Sequence, residues 1–235
     1  MIKDSLYFNT LYHTGIHNQN FNFDDNIETI LNSSDPEVIF LCGKDWKKFD
    51  YIEGLNKLIS AGNLEFIHKA GIFWREFDFD KGLSFLIQSQ SGEYLYRSGR
   101  FWKGYDCERG LNALGDLKSA RYIYYAGKEW ISFNFIKGFE FLMNTGNAEF
   151  IFYAGAHWKI FNHRSGMKFL LQTRNPEFIY KAGTLWDEFD YYTSLKVLES
   201  EVTSGELWRG KIFENQKWKI ALKTIWDSEC NTYGI

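Results

Sequence analysis

The sequence is poor in the residues that mark several whole classes of protein. Its three cysteines (Cys42, Cys107 and Cys230) are odd in number and far apart, with no CxxC pair. That argues against a disulfide framework or a zinc site and suits a reducing compartment. No apolar run approaches the ~20 residues needed to cross a bilayer. The N-terminal stretch MIKDSLYFNTLYHTG has neither the apolar core nor the small-residue cleavage site of a signal peptide. A soluble, cytoplasmic protein is expected. The formal charge of −3 gives no general reason to expect nucleic acid or an anionic membrane as partner. The five histidines (His13, His17, His68, His157 and His163) occupy scattered positions without HExxH or a similar metal spacing. His157 and His163 lie close in sequence and could meet across a turn, as a surface pair rather than a ligand pair. No serine, threonine or cysteine sits in a nucleophile motif such as GxSxG, and no glycine-rich phosphate loop follows a strand. Enzymatic activity, a metal and a cofactor are therefore not expected.

Aromatic residues are abundant at 19%, and their placement is periodic. Trp46, Trp74, Trp102, Trp130, Trp158 and Trp186 recur every 28 residues without insertion. The common pattern, beginning at Asp35, Asn63, Ser91, Ser119, Asn147 and Asn175, is N-x-E-F-I-x-x-A-G-x-x-W-x-x-F-D-x-x-x-G-L-x-x-L plus four variable residues. A constant period of this size marks a repeat architecture. A further copy lies upstream, with Gly15, Phe21, Asn22 and Ile30 in register and Asn18 in place of the tryptophan. Such degeneracy suits a terminal repeat. After Val202 the register breaks, and Trp208, Trp218 and Trp226 fall at new positions, which reads as a C-terminal cap.

Each repeat reads as two short helices. Asp35, Asn63, Asn147 and Asn175, with Ser91 and Ser119 in the other two copies, are candidate N-caps of the first helix. Pro36 and Pro176, the only prolines, fall at the first helical position. Apolar residues at repeat positions 4, 5, 8 and 12 form one stripe ending in the tryptophan. Asp50, Asp78, Asp106, Asn134, Asn162 and Asp190 are candidate N-caps of the second helix. Glycine inside a helix costs about 1 kcal/mol relative to alanine, so the two glycine rows (Gly43 and its equivalents, Gly54 and its equivalents) need a reason. Close crossing of helix backbones, with tryptophan alongside, is the expectation. Stretches such as RYIYYAG are β-prone, but the caps, the prolines and the GLxxL run favour helices. The expected fold is all-α, an α-solenoid of about seven helical hairpins ~8–10 Å apart. It comprises a degenerate N-terminal repeat (1–34), six full repeats (35–202) and C-terminal cap helices (203–235). Over roughly residues 7–202 the chain resembles HEAT and armadillo solenoids in architecture, with shorter units. No family with a known activity matches the consensus, so the resemblance implies no site residues.

Because the notable residues recur in register, the Trp–Phe–Asp phrase reads as core and cap. Solenoids recognise partners through the positions that vary between repeats. Position 6 carries Phe40, His68, Tyr96, Tyr124, Phe152 and Tyr180, which form either an exposed aromatic ladder or packing between repeats. Beside it stand Arg100, Lys103, Lys128 and Lys159, and residues 91–174 carry a net +5. Such a zone could steer an acidic partner or be an ordinary solvated surface. The candidate binding residues are Tyr96, Arg100, Lys103, Tyr124, Lys128, Phe152, Lys159 and Tyr180. The expected function is non-enzymatic binding of a macromolecule, foremost a protein, with an immunity or inhibitor protein against a toxin as the narrower form. The alternative is a nucleic-acid-binding or DNA-repair solenoid, since HEAT-like glycosylases cradle DNA in such stacks. A purely structural spacer is a third reading.

Overall fold

The computed structural model describes residues 2–200 and 211–233. Among these residues every regular element is helical and none is a strand. The helices run in order as α1 (Ile2–His17), α2 (Phe23–Leu31), α3 (Pro36–Asp45), α4 (Tyr51–Ser60), α5 (Leu64–Phe73), α6 (Phe79–Gln88), α7 (Gly92–Phe101) and α8 (Cys107–Asp116). They continue as α9 (Ala120–Glu129), α10 (Phe135–Thr145), α11 (Ala148–His157), α12 (His163–Thr173), α13 (Pro176–Leu185), α14 (Tyr191–Ser200) and α15 (Gln216–Tyr233). Residues 211–214 are also helical. Trp208 and residues 203–210 of the expected cap lie outside the described residues. No described helix is long and apolar enough to cross a membrane.

The helix starts follow from short polar side chains. The carboxylate of Asp50 accepts from the Glu53 amide at 3.0 Å, and that of Asp78 from Lys81 at 2.9 Å. Asn134, Asn162 and Asp190 do the same for Lys137, Ser165 and Thr193. Asp35, Asn63, Asn147 and Asn175 cap the first helices, and Asn22 caps α2 in the degenerate N-terminal repeat. Ser91 departs from expectation: it occupies the cap position of α7 with extended backbone but makes no side-chain cap bond.

The tryptophans are not the last residues of the first helices. Trp46, Trp74, Trp102, Trp158 and Trp186 are each the first residue beyond the helix, with ψ between 129° and 147°. This extended turn throws the indole back onto the preceding repeat. There it meets the glycine of the earlier first helix, 31 residues upstream. An added Cβ on Gly43 would lie 2.5 Å from Trp74 Cε2, and one on Gly15 would lie 2.5 Å from Trp46 Nε1. Gly71 and Gly99 face Trp102 and Trp130 in the same way, as do Gly127 and Gly155 with Trp158 and Trp186. The glycine row therefore makes a notch for an indole ring, and the expectation of crossing backbones is corrected. Each seated indole N–H also donates to a position-6 carbonyl: Trp46 to Tyr12 (3.2 Å), Trp74 to Phe40 (3.0 Å), Trp102 to His68 (2.9 Å), Trp158 to Tyr124 (3.0 Å). The second glycine row does similar work within a repeat. A Cβ on Gly54 would fall 2.5 Å from the Phe49 ring and 3.2 Å from Trp74.

The chain divides into two compact units. One holds the residues up to Leu117 with Trp130–Ser132, and the other Lys118–Glu129 with Phe133 onward. In the first, α1, α3, α5 and α7 pack side by side through the notches, and α3, α5 and α7 each also touch the second helix of their hairpin. The second helices α2, α4, α6 and α8 touch one another over a narrower strip, and α2 and α4 flank a groove of about 490 Å³ lined by Asp24, Glu28, Leu31, Asp50, Glu53 and Lys57. In the second unit, α9, α11 and α13 pack in the same manner. The notch of Gly183 is filled by Trp218 of α15, whose ring is wholly buried and whose N–H reaches the Tyr180 carbonyl at 3.3 Å. Trp218 thus takes the tryptophan's place although the 28-residue step from Trp186 lands on Glu214. The last residue of five repeats is left-handed: Gly62 and Gly146, but also Gln90, Lys118 and Arg174, with φ between 50° and 72°.

Candidate functional site

The outward face of the first helices is set by repeat positions 3 and 7, one helical turn apart. In α5, α7 and α13 these positions hold ion pairs: Glu65–Lys69 at 2.6 Å, Glu93–Arg97 at 3.4 Å and Glu177–Lys181 at 2.5 Å. Each cation also lies over the ring at position 4, Phe66, Tyr94 or Phe178, at 5.0–5.4 Å. This is a neutralised, solvated face. The lysine holds the Glu65 carboxyl below its ordinary range, and Glu177 raises Lys181.

In the second unit the pattern changes on α9 and α11. Position 3 of α9 is Arg121 and position 7 is Tyr125; in α11 they are Glu149 and Tyr153. The Arg121 guanidinium lies 5.8 Å from the Tyr125 ring and 5.9 Å from Tyr122. Tyr124 stands 5.2 Å from Tyr125 and 5.8 Å from both Tyr153 and Phe150. His157 extends the group, its Nδ1 being 2.9 Å from the Tyr124 hydroxyl and 3.0 Å from the Tyr153 carbonyl oxygen. Burial first, then the Tyr125 and Tyr153 phenols and Glu129, push the Tyr124 hydroxyl above its ordinary value. The phenol therefore stays protonated at neutral pH. The result is one run of rings, half-buried at Tyr122, Tyr125 and Tyr153, edged by exposed Arg121 and Lys128.

The expected binding residues are placed as follows. Tyr124 and Phe152 are buried, and Tyr96 and Tyr180 are half-buried. The position-6 rings pack against the next repeat: Phe40 on Phe66 at 5.5 Å, Phe152 on Phe178 at 5.9 Å, Tyr180 stacked on Trp218 at 6.0 Å. Position 6 is thus spent on inter-repeat packing and does not form an exposed ladder. It answers to position 11 of the following repeat: the Tyr12 hydroxyl donates to Asp45 at 2.7 Å, and Phe40 meets Phe73 at 6.3 Å. Arg100 and Lys103 are exposed in the first unit, Arg100 lying over Phe101 at 4.9 Å. Lys128 and Lys159 are exposed in the second. Of the expected set, Tyr124 belongs to the aromatic group of α9 and α11 and Phe152 touches it, 5.2 Å from the Tyr153 ring; Arg121, Tyr122, Tyr125 and Tyr153 were not among the expected residues. Their signal was the lost Glu–Lys pair, not the aromatic row.

The remaining reactive groups have structural partners. His163 Nε2 donates to the Gly155 carbonyl at 3.1 Å, so His157 and His163 are held by different atoms. His68 is buried against Ser98, Nδ1 to Oγ 3.0 Å. Burial raises the Cys42 and Cys107 thiols, the opposite of a reactive thiolate. Among the described residues no three His, Cys, Asp or Glu side chains gather as metal ligands, and no buried side-chain nitrogen or oxygen lacks a hydrogen-bond partner. Two further grooves are present: one of about 660 Å³ between α12 and the turn before α14, lined by His163, Arg164, Lys168, Glu188 and Asp190, and one of about 520 Å³ between α14 and α15, lined by Tyr192, Ile220 and Ile225. No family model, curated protein or solved structure matches the chain.

Proposed function

We propose that the hairpins form one continuous α-solenoid, and that it is a non-enzymatic binding protein holding a protein partner against the outward face of α9 and α11. The observation that carries this reading is local. Where α5, α7 and α13 present a self-neutralised Glu–Lys or Glu–Arg pair, α9 and α11 present Tyr125 and Tyr153 beside Arg121. Tyrosine and arginine are the residues that concentrate binding energy in protein interfaces, and rigid, half-buried rings lose little entropy on docking. Arg97 and Arg109 are each tied to an acidic neighbour, Glu93 and Asp80, so these cations of residues 91–174 support a nucleic-acid track poorly. An inhibitor or immunity role is the narrower form of the proposal. The test is affinity capture from the native source with wild type and a Tyr125→Ala/Tyr153→Ala pair. A protein held by the first and released by the second supports the reading. Equal capture by both, or a nucleic acid as the captured species, contradicts it. Small-angle scattering tests the architecture: an elongated particle is expected, and a spherical one refutes the continuous stack.

A further inference from the structure

Contrary to the expectation that the histidines lack a metal spacing, His13 and His17 stand four residues apart on α1, the spacing of the two histidines in HExxH without its glutamate. On a helix this spacing stacks the side chains on one face with Cβ atoms ~5–6 Å apart. The structure shows that arrangement: the two imidazoles lie nearly parallel, 8° between planes, with centroids 6.4 Å apart. Both side chains are exposed, while Tyr12, the residue before His13, turns inward to Asp45. Imidazole nitrogens bind first-row dications at ~2.0–2.1 Å, so a shared ion needs its two nitrogens roughly 3 Å apart. Exposed rings on adjacent turns reach that separation by rotating about their side-chain bonds, without moving the backbone.

We infer that His13 and His17 form a two-histidine chelate for an imidazole-preferring transition-metal dication, Cu²⁺ above Ni²⁺ and Zn²⁺ in the usual order of affinity. Two nitrogens come from α1 and water fills the remaining positions. The site binds more tightly when α1 is helical, because the unfolded chain does not hold the rings in register, so the ion stabilises the folded chain by linkage, less whatever the histidines of the unfolded chain bind. The other three histidines compete weakly. His68 is buried against Ser98, His163 is tied to the Gly155 carbonyl, and His157 is held between Tyr124 and Tyr153.

The test is calorimetric titration of the full-length protein with Cu²⁺, with electron paramagnetic resonance of the bound ion. His13→Ala and His17→Ala are made separately; both remove exposed side chains, and circular dichroism checks that the helix content is kept. The second imidazole of a chelate acts at high effective concentration, so losing either should weaken binding at least ~10-fold. Wild type is expected to show one tight equivalent of Cu²⁺, a spectrum with two nitrogen ligands, and a metal-dependent rise in melting temperature that both variants lose. A titration unchanged by either substitution, or a one-nitrogen spectrum in the wild type, overturns the assignment.

Discussion

Replacing Gly43 by alanine should destabilise the protein, although alanine is the better helix former. An alanine Cβ would sit 2.5 Å from Trp74 Cε2, 2.6 Å from Nε1 and 2.9 Å from Cζ2, where ordinary contacts begin near 3.4 Å. The indole must retreat by roughly an ångström, and the space behind it is taken. Phe49 and Tyr51 abut the ring with centroids 5.4 and 5.7 Å away, and Trp74 is only 7% exposed. Retreat also breaks the 3.0 Å bond from the indole N–H to the Phe40 carbonyl. Overpacking costs about 1–3 kcal/mol and the lost bond about 0.5–1.5 kcal/mol, against a helix gain of about 1 kcal/mol. The net expectation is a loss of about 2 kcal/mol, read as a fall in the urea midpoint at constant slope. A double-mutant cycle isolates the cause. In a Trp74→Leu background the ring is gone, and Gly43→Ala should then stabilise by up to about 1 kcal/mol. A neutral or stabilising effect in the wild type, or the same penalty in both backgrounds, refutes the notch.

The capping contrast is a second expectation. Asp78→Ala loses a 2.9 Å cap bond and should cost about 1 kcal/mol, whereas Ser91→Ala, with no cap bond to lose, should cost almost nothing; equal losses by denaturation would contradict the cap assignment. Gln90→Gly or Arg174→Gly should each raise stability by about 1 kcal/mol, because those residues are left-handed at φ 52° and 51° where a side chain is strained; a lower midpoint would count against this. His68 contributes a pH dependence. Burial, with Arg97 and Lys69 adding to it and Glu65 opposing, lowers it to about 4, while the unfolded chain titrates near ~6.5. Between those values the unfolded state binds the extra proton, so stability falls as pH drops from ~6.5 towards 4, by at most about 3 kcal/mol, and is flat above. His68→Phe should remove that component from the stability–pH curve, and a curve parallel to wild type would contradict it.

The all-helical fold was legible in the sequence because its determinants are local. Asp50 or Asn63 caps the helix that it immediately precedes, and a 28-residue period needs no knowledge of contacts. The partner of each glycine was harder to see. Gly43 and Trp74 are 31 residues apart, and a period reveals that they recur, not that one fills the other. The left-handed repeat ends were hidden because Gln90, Lys118 and Arg174 are not residues that announce that conformation. Trp218 was hidden because it occupies the last notch four residues out of register. The proposed binding face escaped for a related reason: Tyr125 and Tyr153 looked like more of an aromatic repeat. They differ by standing where α5, α7 and α13 carry half of an ion pair, a change that matters once positions 3 and 7 are known to share a helix face. Position 6 was legible as aromatic, with exposure and packing between repeats both open, since its cover comes from position 11 of the next repeat.

The central claim, that α9 and α11 present the partner-binding face, is tested most directly by the affinity of the captured partner for single variants. Arg121→Ala, Tyr125→Ala and Tyr153→Ala should each weaken binding by at least ~1 kcal/mol, about fivefold, as interface hot spots do. Lys69→Ala and Arg97→Ala, on the neutralised faces of α5 and α7, should leave it unchanged. Full affinity in the three α9 and α11 variants, or a loss confined to α5 and α7, would contradict the account.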